Sequence, residues 1–305
     1  MGKKLSQLGE FGLIGLIQKN VHSTSDVIRG IGDDAAVLSS SKARGDFYQL
    51  LTTDMMVEDV HFTKEVKAYL IGHKALACNI SDIAAMGGLP TAAVVSLGVP
   101  SDLENRFVKE IYRGINHLAK QFNVAIVGGD TVKSEKMVIN IALLGVVKKN
   151  ELVTRAGARS GDMIFVTGPL GRSFETDKHL SFTPRIAQSQ FLVKRFKPTA
   201  MIDISDGLTA DLGHILARSN VGACLYEERI PKTKNAALPE ALSDGEDYEL
   251  LFTLSKNDAQ ILLRMKQKPF RFYQIGEIVE SKKSLALVKK DASKQIISPK
   301  GFTHF

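Results

Sequence analysis

Apolar positions along the chain switch between a period near 3.6 and a period of 2, and each switch marks an element. Residues 9–20 mix apolar and small side chains at helical spacing and predict a short opening helix. Residues 35–38 and 47–53 predict strands around a polar turn at 39–46. A helix is expected over 68–86, with Leu76, Ile80 and Ile83 at i, i+4, i+7 as its apolar stripe and Asn79 and Asp82 on an adjacent face. Gly87-Gly88 followed by Pro90 ends it. A strand at 92–98 follows, and Ser101-Asp102-Leu103-Glu104 has the form of a capping box. The helix it opens buries Phe107, Ile111, Ile115, Leu118 and Phe122. Strands at 124–127 and 137–147 close the first half.

Polar Lys148-Lys149-Asn150-Glu151 marks the junction, dividing the chain into 1–149 and 150–305. The second half predicts strands at 163–167, 201–204, 249–254 and 273–279, and helices from Leu208 and over 257–266. Residues 172–183 are polar with weak structural signals. Strands and helices interleave in both halves, so the expected class is mixed α/β in two domains.

Against this pattern, aspartates stand where apolar runs end. Asp33 and Asp34 follow Gly30-Ile31-Gly32, Asp54 follows Thr52-Thr53, and Asp130 follows Gly128-Gly129. Asp203 and Asp206 sit in Ile202-Asp203-Ile204-Ser205-Asp206-Gly207. Carboxylates are poor strand formers and costly to bury. If several converge they repel one another unless cations hold them. Hard oxygen donors in that number favour Mg²⁺, which in enzymes commonly accompanies phosphate. Each aspartate alone also reads as a turn or cap residue; the combination carries the chemistry. Gly128-Gly129-Asp130 would let backbone approach a phosphate closely, and Ser205-Asp206-Gly207 reads as a helix N-cap that could also receive one. Arg155 and Arg159 could reach phosphate as guanidinium forks.

Composition narrows the alternatives. The chain has 305 residues, 44% hydrophobic and 24% charged, with a net charge of +7. Its basic residues are scattered pairs, such as Lys3-Lys4, Lys148-Lys149, Lys282-Lys283 and Lys289-Lys290. No basic stripe interleaved with aromatics points to nucleic acid. No apolar run approaches the ~20 residues of a membrane span. The opening residues lack the apolar core of a signal peptide, and the two cysteines, Cys78 and Cys224, lie far apart in apolar surroundings. The expectation is a cytoplasmic protein with reduced cysteines. Gly30-Ile31-Gly32-Asp33-Asp34-Ala35 is followed by a strand where a dinucleotide fingerprint requires a helix. P-loop, protein-kinase, zincin and nucleophile-elbow motifs are absent from the sequence.

Together these segments resemble the thiamine-monophosphate kinase family. The matching pieces include Gly30-Ile31-Gly32-Asp33-Asp34-Ala35, Thr52-Thr53-Asp54 with His61-Phe62, Asn79-Ile80-Ser81-Asp82-Ile83-Ala84-Ala85-Met86-Gly87 and Val127-Gly128-Gly129-Asp130-Thr131. Thr154-Arg155-Ala156-Gly157-Ala158, Ile202-Asp203-Ile204-Ser205-Asp206-Gly207-Leu208, Gly245-Glu246-Asp247-Tyr248-Glu249-Leu250 and Gly301-Phe302-Thr303-His304-Phe305 continue them in order. The resemblance implies an N-terminal domain whose sheet builds a barrel at a homodimer interface, and a second α/β domain. It implies transfer of phosphate from ATP to thiamine monophosphate, giving ADP and thiamine diphosphate, with several Mg²⁺ ions. Carried over by position, Asp34, Thr52, Thr53, Asp54, Asp82, Asp130, Asp203 and Asp206 are the implied metal ligands. Gly129, Asp130, Arg155 and Ser205 are the implied ATP contacts, and His61, Glu246 and Phe302 the implied thiamine-phosphate contacts. After Gly168-Pro169-Leu170-Gly171 the chain departs from the family, continuing with Arg172-Ser173-Phe174 and a short segment to Pro184. Two rival readings stand beside this one: a superfamily sibling acting on another acceptor, and a non-catalytic nucleotide- or metal-binding regulator.

Overall fold

The computed structural model describes residues 5–39, 45–265, 269–280 and 284–304. Lys3-Lys4, Lys282-Lys283, most of the turn expected at 39–46, Lys266 at the expected end of the 257–266 helix, and Phe305 lie outside them. Two short helices, α1 (Leu5–Leu8) and α2 (Glu10–Gln18), lead into strands β1 (Val27–Arg29), β2 (Ala36–Leu38) and β3 (Phe47–Val57). Helix α3 (Ala68–Ala85), β4 (Leu89–Val99), α4 (Asn105–Phe122), β5 (Ala125–Lys133) and β6 (Val138–Lys148) complete the first half. Its sheet runs β1-β2-β3-β6-β4-β5, with β5 parallel to β4 and the other pairs antiparallel. The sheet is open, with β1 and β5 as edges, so the barrel implied by the family resemblance is not closed within one chain.

Two expected strand ends move. The strand expected to stop before Asp54 continues to Val57, because Met55, Met56 and Val57 stay in register with β6. The strand expected to stop before Gly-Gly-Asp runs through it to Lys133. The capping box does not form either: α4 begins at Asn105, and Glu104 is an N-cap with no side-chain hydrogen bond.

Helix α3 is the spine. Most of its residues are buried, and Leu76, Ile80 and Ile83 are 0% exposed. Burying each contributes roughly 1.5–3 kcal/mol. Its small residues admit α4 closely: a Cβ on Gly72 would lie 1.9 Å from Ile111 O, and one on Gly114 would lie 2.0 Å from Tyr69 O. One side of α3 covers the first sheet, while other faces meet elements of the second half.

That half contains β7 (Met163–Val166), α5 (Lys178–Ser181), α6 (Ile186–Arg195), β8 (Ala200–Asp203), α7 (Leu208–Ser219) and β9 (Gly222–Tyr226). It continues through α8 (Leu238–Ser243), β10 (Leu250–Leu254), α9 (Lys256–Arg264), β11 (Tyr273–Val279), β12 (Leu285–Val288) and β13 (Lys294–Ile297). The sheet order is β13-β12-β9-β11-β7-β10-β8. Helix α6 and strands β9, β12 and β13 had no counterpart in the sequence reading. The edge strand β8 ends at Asp203, beside α3.

Candidate functional site

A cavity of about 740 Å³ opens between the two halves. Asp34 precedes β2, Thr52 and Asp54 project from one face of β3, Asp82 comes from α3, and Asp203 ends β8. Oxygen atoms of Asp34, Asp82 and Asp203 all lie within 4.8 Å of one another. Three neighbours restrain the group. Thr52 Oγ1 donates to Asp82 Oδ2 at 2.5 Å, Ser81 Oγ to Asp203 Oδ2 at 2.6 Å, and Arg155 Nη2 to Asp34 Oδ1 at 2.7 Å. Arg155 also gives its backbone N–H to Asp33 Oδ1. Asp34 Oδ2 is buried and has no hydrogen-bond partner. Burial, then Asp34, pushes the Asp54 carboxyl up to about 6 and that of Asp203 up to about 8. Asp82 is driven well above the usual carboxylate range by burial and by Asp54 and Asp203. A buried, orphaned oxygen among mutually repelling carboxylates matches the donor set of a hard divalent cation.

A second cluster lies along the same cleft. Ligand atoms of Asp206, Asp211 and His214 fall within 4.8 Å of one another. Asp206 was expected; Asp211 and His214 were missed. Asp211 Oδ2 accepts the backbone N–H groups of Asp206 and Gly207, at 3.1 and 3.0 Å. The turn ahead of α7 is therefore capped from within the helix, and Gly207, not Ser205 or Asp206, is its N-cap. Burial and Glu10 raise the Asp206 carboxyl to about 6.

The far end of the cleft is built by α3, the loop before β10 and the C-terminal segment. Lys74 Nζ lies 2.7 and 2.6 Å from the two carboxylate oxygens of Glu246, and 3.2 Å from His61 O. Glu246, an implied thiamine-phosphate contact, has its charge paired with Lys74 in this fold. Glu246 and Tyr248 both hold left-handed backbone, at φ 51° and 50°, which is costly for a bulky residue and recurs at functional sites. Ser173 Oγ donates to Glu246 O at 2.6 Å, which fastens the family-divergent segment to this loop. Phe174 beside it is half exposed and lines the cleft. His61 Nδ1 accepts from Val57 N, so its ring proton sits on Nε2. Phe302 N donates to Asp206 O and His304 N to Glu10 Oε2, strapping the C-terminal segment across the opening.

Arg155, Ser205, His61, Glu246 and Phe302 thus line the same cavity as the aspartates; Thr53 borders it, but its hydroxyl donates to Asn140 Oδ1 on the outer face of the sheet. Gly129 and Asp130 do not. Asp130 pairs with Ser96, Ser96 with Asn140 and Asn140 with Met55, so Asp130 belongs to the outer face of the sheet, opposite Thr52 and Asp54. Three strand spacings separate β5 from β3, about 14 Å. Gly129 has a packing reason as well: a Cβ there would lie 1.8 Å from Val95 O. Lys74 escaped the sequence reading, although its spacing from Cys78 and Asp82, at i, i+4 and i+8, marks it as a charge on the same face.

The comparisons agree with this architecture. Residues 32–147 match the family "AIR synthase related protein, N-terminal domain", and residues 152–289 match "AIR synthase related protein, C-terminal domain". The chain is 35% identical to the thiamine-monophosphate kinase of Bacillus subtilis, over 98% of this chain and 100% of that protein. It is 31% identical to the Escherichia coli enzyme of the same name, over 97% of this chain and 98% of that protein. Its structure is similar to that of AaThiL complexed with AMPPCP and TMP, with a TM-score of 0.86, 34% identity and 100% of both chains covered. With the cleft geometry and full-length similarity in agreement, the chain belongs to the thiamine-monophosphate kinase family.

Proposed function

We propose that this protein transfers the γ-phosphoryl group of ATP to thiamine monophosphate, in line and without a covalent enzyme intermediate, releasing ADP and thiamine diphosphate. The observation that carries the reading is the convergence of Asp34, Asp82 and Asp203, with Asp54 lining the same cavity and an orphaned, buried Asp34 oxygen. It gains weight from full-length relatives named for this activity.

Asp34, Thr52, Thr53, Asp54, Asp82, Asp203 and Asp206 would hold several Mg²⁺ ions. Bound there, Mg²⁺ supplies charge to offset the repulsion between two phosphorylated substrates. The chain's own residues position and enclose. Arg155, braced by Asp33 and Asp34, presents its guanidinium to ATP phosphate together with Ser205. His61, Glu246 and Phe302 orient the acceptor at the far end. The attacking oxygen belongs to the acceptor's phosphate and is already anionic near neutral pH, so no side chain has to act as a strong base. Catalysis rests on placement and electrostatic stabilisation.

We assign residues 1–149 to ATP and metal binding and dimer formation, and 150–305 to completing the acceptor site. The outer face of the first sheet exposes Phe47, Leu51, Met55, Val94, Val127 and Leu144. An apolar patch of that kind on an open sheet with an exposed edge strand suits a second copy of the chain. In such a homodimer Gly129 and Asp130, assigned to metal and ATP, would lie at the interface. Buried, unpaired Cys78 and Cys224 suit a reducing cytoplasm. Among the described residues no helix is long and apolar enough to cross a membrane.

The test is mass detection of thiamine diphosphate from thiamine monophosphate, ATP and Mg²⁺. ADP and thiamine diphosphate are expected in equal amounts. ADP without thiamine diphosphate would transfer the chemistry to another acceptor.

A further inference from the structure

The Lys74–Glu246 pair joins α3 to the loop before β10 across the cleft. Lys74 is 1% exposed and the Glu246 side chain 17%. Desolvation of two buried charges offsets most of their attraction, so a pair of this kind adds little net stability over apolar packing. This one is also joined to a loop that carries two left-handed non-glycine residues, Glu246 and Tyr248. Both partners line the cavity that holds the aspartates. Lys74 and Asp82 share a face of α3, and a rise of 1.5 Å per residue separates them by about 12 Å along the helix axis. The ion pair therefore stands farther along the cleft than Asp82, while Glu246 N donates to Ser205 O at 2.6 Å and keeps the pair beside the proposed phosphate contacts.

Resting on the proposed acceptor, a molecule with an anionic phosphate and a cationic thiazolium ring, the geometry points to a role for both halves of the pair. We propose that Lys74–Glu246 is an internal ion pair that opens to admit a zwitterionic substrate. Lys74 Nζ donates to the acceptor's phosphate oxygens, and Glu246 turns its carboxylate to the cationic ring. Two ion pairs then replace one, and no buried charge is left alone. A ligand carrying only the cation, such as thiamine, must compete with Lys74 for Glu246 and leaves the ammonium without a partner. Discrimination against the unphosphorylated vitamin follows from that unpaired charge. Lys74 is on this account a substrate-binding residue, beyond the set assigned from family position.

Calorimetric titration of thiamine monophosphate, thiamine and an ATP analogue into wild type, Lys74→Met and Glu246→Gln tests this, with melting temperatures to confirm folding. Lys74→Met loses the contact with phosphate but is spared breaking the internal pair, so thiamine monophosphate keeps an affinity close to wild type. The same variant frees Glu246, so thiamine binds roughly tenfold to a hundredfold more tightly than to wild type, the range of one charge-assisted contact. The ATP analogue is unaffected. Tighter thiamine binding, with the preference for the phosphorylated ligand lost, is the signature, because a merely structural defect weakens both. Unchanged or weaker thiamine binding by the folded variant, or a loss confined to the ATP analogue, overturns the inference. If Lys74→Met does not fold, Glu246→Gln decides: it frees the ammonium, so a phosphate monoester without the cationic ring binds more tightly than to wild type, and the absence of that gain refutes the pair's role. Wild-type failure to form thiamine diphosphate would defeat the proposed reaction. Normal wild-type turnover without either gain in binding would defeat only the ion-pair mechanism.

Discussion

Asp54→Asn separates the cost of the carboxylate cluster from its use. In the metal-free fold, burial and Asp34 raise the Asp54 carboxyl from its ordinary 3.8 to about 6. A rise of that size corresponds to about 3 kcal/mol of penalty on the charged form. The group is an acid whose folded pKa is raised. Its contribution to stability is therefore complete below the unfolded value near 4 and is lost as pH rises through about 6. The amide keeps the shape and removes the charge. At about pH 8 with metal chelated, Asp54→Asn should be more stable than wild type by up to about 3 kcal/mol. With an unfolding entropy of ~2.1 cal/mol/K per residue, a chain of this length gains about 5 °C in Tm. At about pH 4 the two melting curves should converge. Adding Mg²⁺ should reverse the order, because the ion binds the charged site and stabilises wild type by mass action. Turnover by the variant should fall to background. Thermal scans across pH, with and without Mg²⁺, provide the measurement. A variant that melts at or below wild type at alkaline pH without metal would refute the account of the cluster as repelling carboxylates awaiting a cation.

Two further outcomes follow from the same cleft and from the sheet behind it. Incubation with γ-labelled ATP but no acceptor should leave the protein unlabelled if transfer is direct, as proposed; stoichiometric label that chases into thiamine diphosphate would make one aspartate a nucleophile. In the proposed homodimer, Val127→Asp should shift wild-type dimer to monomer in sedimentation velocity at little cost to the subunit's own fold, since Val127 is 65% exposed on β5; a dimer unchanged by the substitution would remove the outer face from the interface, and a monomeric wild type would remove the dimer.

Much of the architecture was legible because it is written in local periodicity. The stripe of Leu76, Ile80 and Ile83 located α3, and β11 occupies 273–279 as its pattern indicated. Motif order across the chain pointed to the family before any geometry was known. Where local signals misled, a longer-range contact prevailed. The Ser101–Glu104 signature lost to a turn that starts α4 at Asn105, and Ser205-Asp206 yielded the capping of α7 to Asp211. Strand ends at Asp54 and Asp130 were misplaced because ladder pairing with β6 and β4 carries both strands past a residue type that disfavours them.

Local sequence marked the aspartates able to bind a cation and their order along the chain, because an aspartate's chemistry and its apolar setting are both local. It could not say which of them meet. Asp34, Asp82 and Asp203 converge only because β2, α3 and β8 come together across the two halves. Asp130 carries the same local signal, yet register places it on the other face of the sheet, three strands away from Asp54. Lys74 and Glu246, 172 residues apart, become one buried pair for the same reason: burial makes a charge find its counter-charge in space, and only the packed fold specifies which one is within reach.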